Sequence, residues 1–138
     1  MTHFVCLVFG GDIERQLAPY DEGLYVEPHE HSEAGYNSPC THNHEAQWDW
    51  YEIGGRWSGW LRLKDGRRAD SALAGEIDWP QMPPPVAMVG EGAFQAVGVI
   101  GLFGYVDHSR DDEWDARFRS LVAGVPAETA VTVVDCHI

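Results

Sequence analysis

The sequence predicts an α+β fold of the ferredoxin-like kind, a βαββαβ sandwich in which two helices pack on one face of an antiparallel sheet. Three observations predict it. The apolar patterns run in the order strand, helix, long loop, strand, strand or hairpin, helix, strand. The first and last strands, HFVCLVF and AVTVVDCH, are near-continuous apolar runs rich in β-branched residues, as in strands buried at the centre of a sheet. A stripe of Trp114, Phe118, Leu121, Val122 and Val125 marks one amphipathic helix near the C-terminus. The 138 residues make a single domain, 1–138, and 44% hydrophobic with 12% aromatic residues is ample for its core.

In chain order, the first strand covers residues 3–9 and is closed by Gly10-Gly11. Asp12 caps a short helix over 13–18, and Pro19 stops it. Residues 20–47 hold Pro28, Gly35 and Pro39 with few aliphatics, and read as a long His-rich loop. Over 57–63, Trp57, Gly59, Leu61 and Leu63 alternate with Ser58, Trp60 and Arg62, the period of a half-buried strand, which the Asp65-Gly66 turn ends. Residues 67–79 are rich in small side chains, with one helical turn expected over 69–74. Pro80 and Pro83-Pro84-Pro85 then impose an extended connector over 80–85. Residues 86–89 and 93–100 are strand-like about Gly90-Glu91-Gly92, which suggests a hairpin. Glycines at 98, 101 and 104 weaken strand propensity beyond it. Ser109 and Asp112 resemble a capping box, and Asp111, Asp112 and Glu113 suit the positive end of a helix dipole. Gly124 and Pro126 stop that helix, and the last strand covers 130–137.

The net charge of −13 and pI near 4.7 leave only nine Lys and Arg to meet phosphates, which disfavours nucleic acid and anionic membranes as partners. An acidic surface can instead meet a basic protein. No apolar run approaches the roughly 18 residues of a membrane span, and no basic segment precedes the first apolar run, so a cytoplasmic protein is expected. Three irregularly spaced cysteines fit a reducing compartment.

The densest stretch is QWDWYEIGGRWSGWLRL, residues 47–63, with four of the six tryptophans. One reading is a Gly-Gly bulge feeding the edge of the core, with Arg56 stacked on an indole. The other points Asp49, Glu52 and Arg56 into a cleft floored by tryptophans.

In the expected topology the first and last strands are antiparallel neighbours, which sets His3 beside His137. The second strand begins at the same edge, so Asp49 and Arg56 arrive there, as does the His-rich loop; if a third strand covers 93–106, Asp107 and His108 end there too. His29, His31, Cys40, His42 and His44 then form a candidate zinc site, since i, i+2 residues of an extended segment face the same way and can chelate one ion. Ligation would also supply the free energy that orders a loop so poor in aliphatics. The plainer alternative is a polar, solvated loop. His3 and His137 are either a satisfied pair at a strand end or a general base oriented by Asp135 or Asp49. Cys6 and Cys136 read as core residues. No G-x-S-x-G, phosphate-loop, G-x-G-x-x-G or H-E-x-x-H motif is present.

The blocks MTHFVCLVFG with QLAPYDE, WDWYEIGGRWSG and VTVVDCHI resemble a family of small uncharacterised proteins found in actinobacteria and their phages. The resemblance spans most of the patterned chain, and WDWYEIGGRW is its most specific part. The family pattern has a longer insertion between the first two blocks, from which the His-rich segment departs. What the resemblance implies is a grouping, matched at His3, Asp49, Arg56, Asp135 and His137, and no mechanism.

Together these features point to a small zinc-binding protein with a hydrolytic site at a His-rich sheet edge, in which His137, His3 and Asp49 move protons and Arg56 holds an anionic or carbonyl group of a small molecule. Two alternatives stand beside it. One is an acidic phage-type interaction or inhibitor protein, the other a metal-free enzyme or ligand binder with a tryptophan-lined pocket.

Overall fold

A computed structural model describes residues 3–25, 29–33, 36–40, 43, 45–90, 93–96, 100–101, 104–105 and 112–138, with side chains for 3–25, 43, 45–90, 93–96 and 113–138. In chain order the elements are β1 (His3–Phe9), α1 (Ile13–Leu17), β2 (His29–Glu33), β3 (Tyr36–Cys40), β4 (Trp50–Ile53), β5 (Leu61–Arg62), β6 (Arg68–Ala69), β7 (Ser71–Leu73), β8 (Ala87–Gly90), β9 (Ala93–Ala96), β10 (Ile100–Gly101), β11 (Gly104–Tyr105), α2 (Asp112–Ala123) and β12 (Ala130–His137), with short 3-10 turns between some of them. No described helix is long and apolar enough to cross a membrane.

Because β1 carries no polar side chain from Phe4 to Phe9, it is stable only with apolar cover on both faces, and it lies inside the main sheet, whose order is β4-β12-β1-β8-β9. β12 runs antiparallel to it, from His3 opposite His137 to Phe9 opposite Val131. β8 runs parallel to it and folds back antiparallel into β9, with Gly90 opposite Ala93, as the glycine-flanked pattern suggests. The far side of β12 carries two short strands end to end, β4 against its C-terminal half and β7 against its N-terminal half.

The alternation of the strands sorts the apolar residues into two cores. Val5, Leu7, Phe9, Val131 and Val133 pack with Trp114, Phe118 and Val122 of α2. Phe4, Cys6, Val8, Val134 and Cys136 pack with Leu17, Tyr20 and Trp48. The fold is therefore α+β, but it departs from the ferredoxin-like expectation in two respects. The sheet is mixed, and α1 and α2 cover opposite faces instead of sharing one. The reason lies in β1 itself: with both helices on one side, Phe4, Cys6 and Val8 would lose their cover.

Local corrections follow from glycine geometry. Trp57 to Leu63 does not form one strand. Gly54, Gly55 and Gly59 all have positive φ (73°, 52° and 78°), and the chain makes a 3-10 turn over Gly55–Trp57; the sheet strand lies earlier, at Trp50–Ile53. Leu61–Arg62 stays extended, paired with Arg68–Ala69, and Leu63 bridges to Ile77. The helical turn expected over 69–74 is mostly strand, because Ser71–Leu73 pairs with Thr132 to Ala130, and a 3-10 turn begins at Ala74. Within the segment read as a loop, β2 and β3 form a hairpin in which His29 lies opposite Cys40. Asp12 caps α1 through its side chain, accepting from the Arg15 N–H at 3.3 Å. The helical path continues past Pro19 as a 3-10 turn to Tyr20, since proline is tolerated in a first turn. Ser109, half of the anticipated capping box, lies outside the described residues.

Side-chain hydrogen bonds tie α2 to the proline-rich connector. The Trp114 indole donates to the Pro85 carbonyl at 2.9 Å, and Arg119 donates to the carbonyls of Trp79 and Met82 at 2.6 and 2.7 Å. The Met82 and Pro85 carbonyls sit in a segment that prolines bar from regular pairing, so the helix supplies their donors, and it adds a second donor to the Trp79 carbonyl, which also accepts the Met82 N–H at 3.0 Å. Phe118 is fully buried at the centre of the α2 face and stands edge-on to Trp79. Phe118→Ala is expected to lower unfolding free energy by about 3–5 kcal/mol, read as a fall in the urea midpoint at unchanged m-value.

Candidate functional site

On the α2 side of the sheet, β12 presents Val131, Val133, Asp135 and His137 in succession, and β1 presents Phe9, Leu7, Val5 and His3 alongside. Apolar cover reaches Val5 and Val133. Beyond them the same face turns polar, with Asp135, His137 and His3 adjacent at the sheet's end.

Asp135 is only 2% exposed, so each carboxylate oxygen must find a donor inside the protein. Oδ1 lies 2.8 Å from Nδ1 of His3, and Oδ2 accepts the backbone N–H of Arg56 at 3.0 Å. The second pair mirrors the first. Nδ1 of His137 lies 2.7 Å from Oδ1 of Asp49, and the Asp49 backbone N–H donates to the His137 carbonyl at 2.9 Å, which places Asp49 at the head of β4. A carboxylate only accepts, so in both imidazoles Nδ1 carries the proton and Nε2 presents its lone pair while the ring is neutral. The two rings stand edge to face with centroids 4.9 Å apart, and Trp50 stands edge to face with His137 at 6.1 Å.

Glycine makes the Arg56 contact possible. Gly55 has φ 52°, and a Cβ there would lie 2.7 Å from both Cβ and Oδ2 of Asp135. At the far end of the same turn, Asp70 accepts the Gly59 N–H at 2.6 Å and the Ser58 hydroxyl at 3.3 Å. The GGRWSG turn is thus clamped between two carboxylates, and the exposed Arg56 side chain starts one peptide away from the Asp135 carboxylate.

The structure brings together His3, His137, Asp49 and the backbone of Arg56. The orienting carboxylates, expected as alternatives for the histidine pair, divide: Asp49 serves His137 and Asp135 serves His3. Glu52 is exposed on the outer edge strand, across from Asp135 in the ladder. Trp50 alone among the four clustered indoles stands at the histidines. Trp48 is buried on the opposite face, while Trp57 and Trp60 stand edge to face at 5.9 Å against the α2 core. The cation–π contact among the described residues is Arg119 over Phe118, not Arg56 over an indole. Of the proposed zinc ligands, the side chains of His29, His31 and Cys40 lie outside the described residues, as do His42 and His44 altogether; Asp107 and His108 do too. Among the described residues no group of three or more His, Cys, Asp or Glu is placed to hold a metal ion. Burial, and then the hydrogen bond and charge of Cys6, push the Cys136 thiol well above its ordinary range, so it rests in the core as a neutral group. Sequence reasoning missed Gly55 and Asp70 as supports of the site. The adjacent glycines were visible, but which carboxylates they approach depends on the fold.

Compared with known proteins, the chain matches no family model, no curated protein and no solved structure.

Gly55→Ala forces a side chain against Asp135 and into a left-handed backbone, whereas Gly66→Ala, with φ 90° and no atom within 4 Å, meets only the backbone strain. Gly66→Ala is expected to cost about 1–2 kcal/mol, and Gly55→Ala measurably more in the same denaturation assay. Only Gly55→Ala should move the imidazole NMR resonances of His3.

Proposed function

We propose that this protein is a small hydrolase that activates water at the end of the sheet where His3 and His137 meet. The observation that carries the reading is the pair of imidazoles, each held at Nδ1 by its own carboxylate and set ring to ring at 4.9 Å. That arrangement fixes the tautomer and leaves two Nε2 atoms on one rim, which is what moving a proton from water to a leaving group requires. Asp49 and Asp135 orient the rings and stabilise the positive charge that develops when a ring takes a proton. Arg56, one peptide from Asp135, brings a guanidinium within reach to hold an anionic or carbonyl oxygen of the substrate. The exposed indole of Trp50, 49% accessible, gives a small molecule an apolar wall beside His137.

The test is a panel of small phosphoesters, carboxylic esters and amides. Turnover by the wild-type chain should fall by about 10²–10⁴ in kcat in His137→Gln and in His3→Gln, while Arg56→Met raises KM more than it lowers kcat. Equal kcat in His137→Gln and wild type would remove the reading.

A second reading draws on Ile53 and Leu73, both exposed along the outer edge strands, and on the net charge of −13. It makes the chain an interaction protein that adds its β4–β7 edge to a basic partner. Salt-sensitive capture of such a partner, undiminished in His3→Gln and His137→Gln, would favour it over hydrolysis.

A further inference from the structure

We infer that the Nε2 atoms of His3 and His137 together hold one divalent transition-metal ion of the zinc class. The inference keeps the rim, the orienting carboxylates and Arg56 of the hydrolytic reading but assigns water activation to the ion in place of the free Nε2 atoms, and it rests on that reading for its catalytic consequence alone.

The ladder supplies the first part of the argument. His3 and His137 are direct partners across an antiparallel pair, so their Cβ atoms stand about 4.5–5.5 Å apart on one face of the sheet. Two imidazoles so placed stand edge to face with ring centroids 4.9 Å apart, close enough for one ion to reach a nitrogen of each at about 2.0–2.1 Å. Residues close in the ladder are fixed by backbone hydrogen bonds, so little conformational freedom remains to be lost when an ion binds.

The carboxylates supply the second part. A metal-ligating histidine ordinarily donates its other ring N–H to a carboxylate, which fixes the tautomer and raises the basicity of the ligating nitrogen. Here both histidines have that partner, at 2.8 and 2.7 Å. A single such pair is common in proteins. Two of them directly opposed across a ladder, each leaving the same nitrogen uncommitted, match the outer shell of a metal centre on both ligands at once.

Charge supplies the third. Two carboxylates stand within hydrogen-bonding distance of neutral-capable rings, Asp135 is 2% exposed, and its second oxygen meets only a backbone N–H. A divalent cation on the outer nitrogens offsets this negative charge through both rings. The ligand set also selects the ion. Cys136 faces the opposite core, so the donors are imidazole nitrogens and water, which suit zinc, copper or nickel more than a thiolate-seeking ion. With two protein ligands, coordination positions stay open, the condition of a catalytic centre and not of a closed structural one. An ion here would supply a bound water that ionises more readily, with both imidazoles as its ligands and Arg56 left to meet the substrate.

The experiment titrates metal-stripped full-length protein with zinc by calorimetry and with cobalt by tryptophan emission. One equivalent should bind, and X-ray absorption should show two imidazole nitrogens at about 2.0–2.1 Å. Cobalt should quench emission in wild type, with most of that quench absent in Trp50→Phe, because the Trp50 ring is 6.1 Å from that of His137. His3→Gln and His137→Gln should each weaken binding at least tenfold. Asp49→Asn removes no ligand, and its half-exposed side chain makes it the safer variant for folding; it should still weaken binding about 10–100-fold. Undiminished zinc affinity in the His3→Gln, His137→Gln double variant would place the ion elsewhere and overturn the inference, as would failure to bind zinc or cobalt at all. Hydrolysis that survives chelation but is lost in His137→Gln overturns the metal while sparing the hydrolytic reading. Binding at this pair in a protein that hydrolyses nothing does the reverse.

Discussion

The carboxylate of Asp135 is the group on which this end of the molecule depends. It sits on an interior strand with 2% of its surface exposed, where a charge without partners is strongly destabilising. Folding can bury it only by bringing donors to it, and the two that arrive come from segments far apart in the chain: His3 from the first strand and the Arg56 N–H from the turn after β4. Each donor imposes a further requirement. The Arg56 N–H reaches Oδ2 only if the preceding residue has no side chain, so residue 55 is glycine with a positive φ. That turn closes only if its other end is held as well, which Asp70 does through Gly59 and Ser58.

The hydrophobic architecture explains why such a carboxylate can exist at all. β1 and β12 are covered on one face by α2 and on the other by Leu17, Tyr20 and Trp48, so the sheet is dry along most of its length. The apolar alternation on the α2 face stops at Val5 and Val133. From there the strands continue, but the side chains they present become Asp135, His137 and His3, still on rigid, fully paired backbone. A polar cluster borne on paired strands keeps its geometry better than one borne on loops. The site is thus the end of the core face, built on the same pleat.

That logic separates what was legible in the sequence from what was not. The bounds of β1 and β12 follow from continuous apolar runs, and their antiparallel pairing, once assumed, puts residue 3 opposite residue 137 by simple counting. The meeting of the two histidines was therefore readable. Asp12 as a cap and the Trp114-Phe118-Val122 stripe were readable for similar local reasons. The placement of α1 was not, although the all-apolar β1 already demanded cover on both faces and argued against two helices on one. The Trp57 to Leu63 alternation misled because a turn, too, can follow period two in sequence: Trp57 and Trp60, expected on opposite sides of a strand, both pack against the α2 core. Three glycines with positive φ override it, and only Gly54-Gly55 stood out as a break. The division of carboxylates between the histidines was out of reach, since it depends on a turn 79 residues from Asp135 in sequence.

The two histidine–carboxylate pairs are not equivalent, and their asymmetry orders the site. In one, the carboxylate side chain is 3% exposed, doubly bonded and immobile, while His3 is 20% exposed. In the other the exposure is reversed: Asp49 is 44% exposed and His137 10%. Asp135 accepts two hydrogen bonds and cannot swing away without orphaning the Arg56 N–H. Asp49 makes a single side-chain bond from the head of an edge strand and can respond to solvent or to a bound molecule. The carboxylate of His3 is thus held from two sides, while that of His137 is open to water, and the His137 ring itself is the more buried of the two and flanked by Trp50.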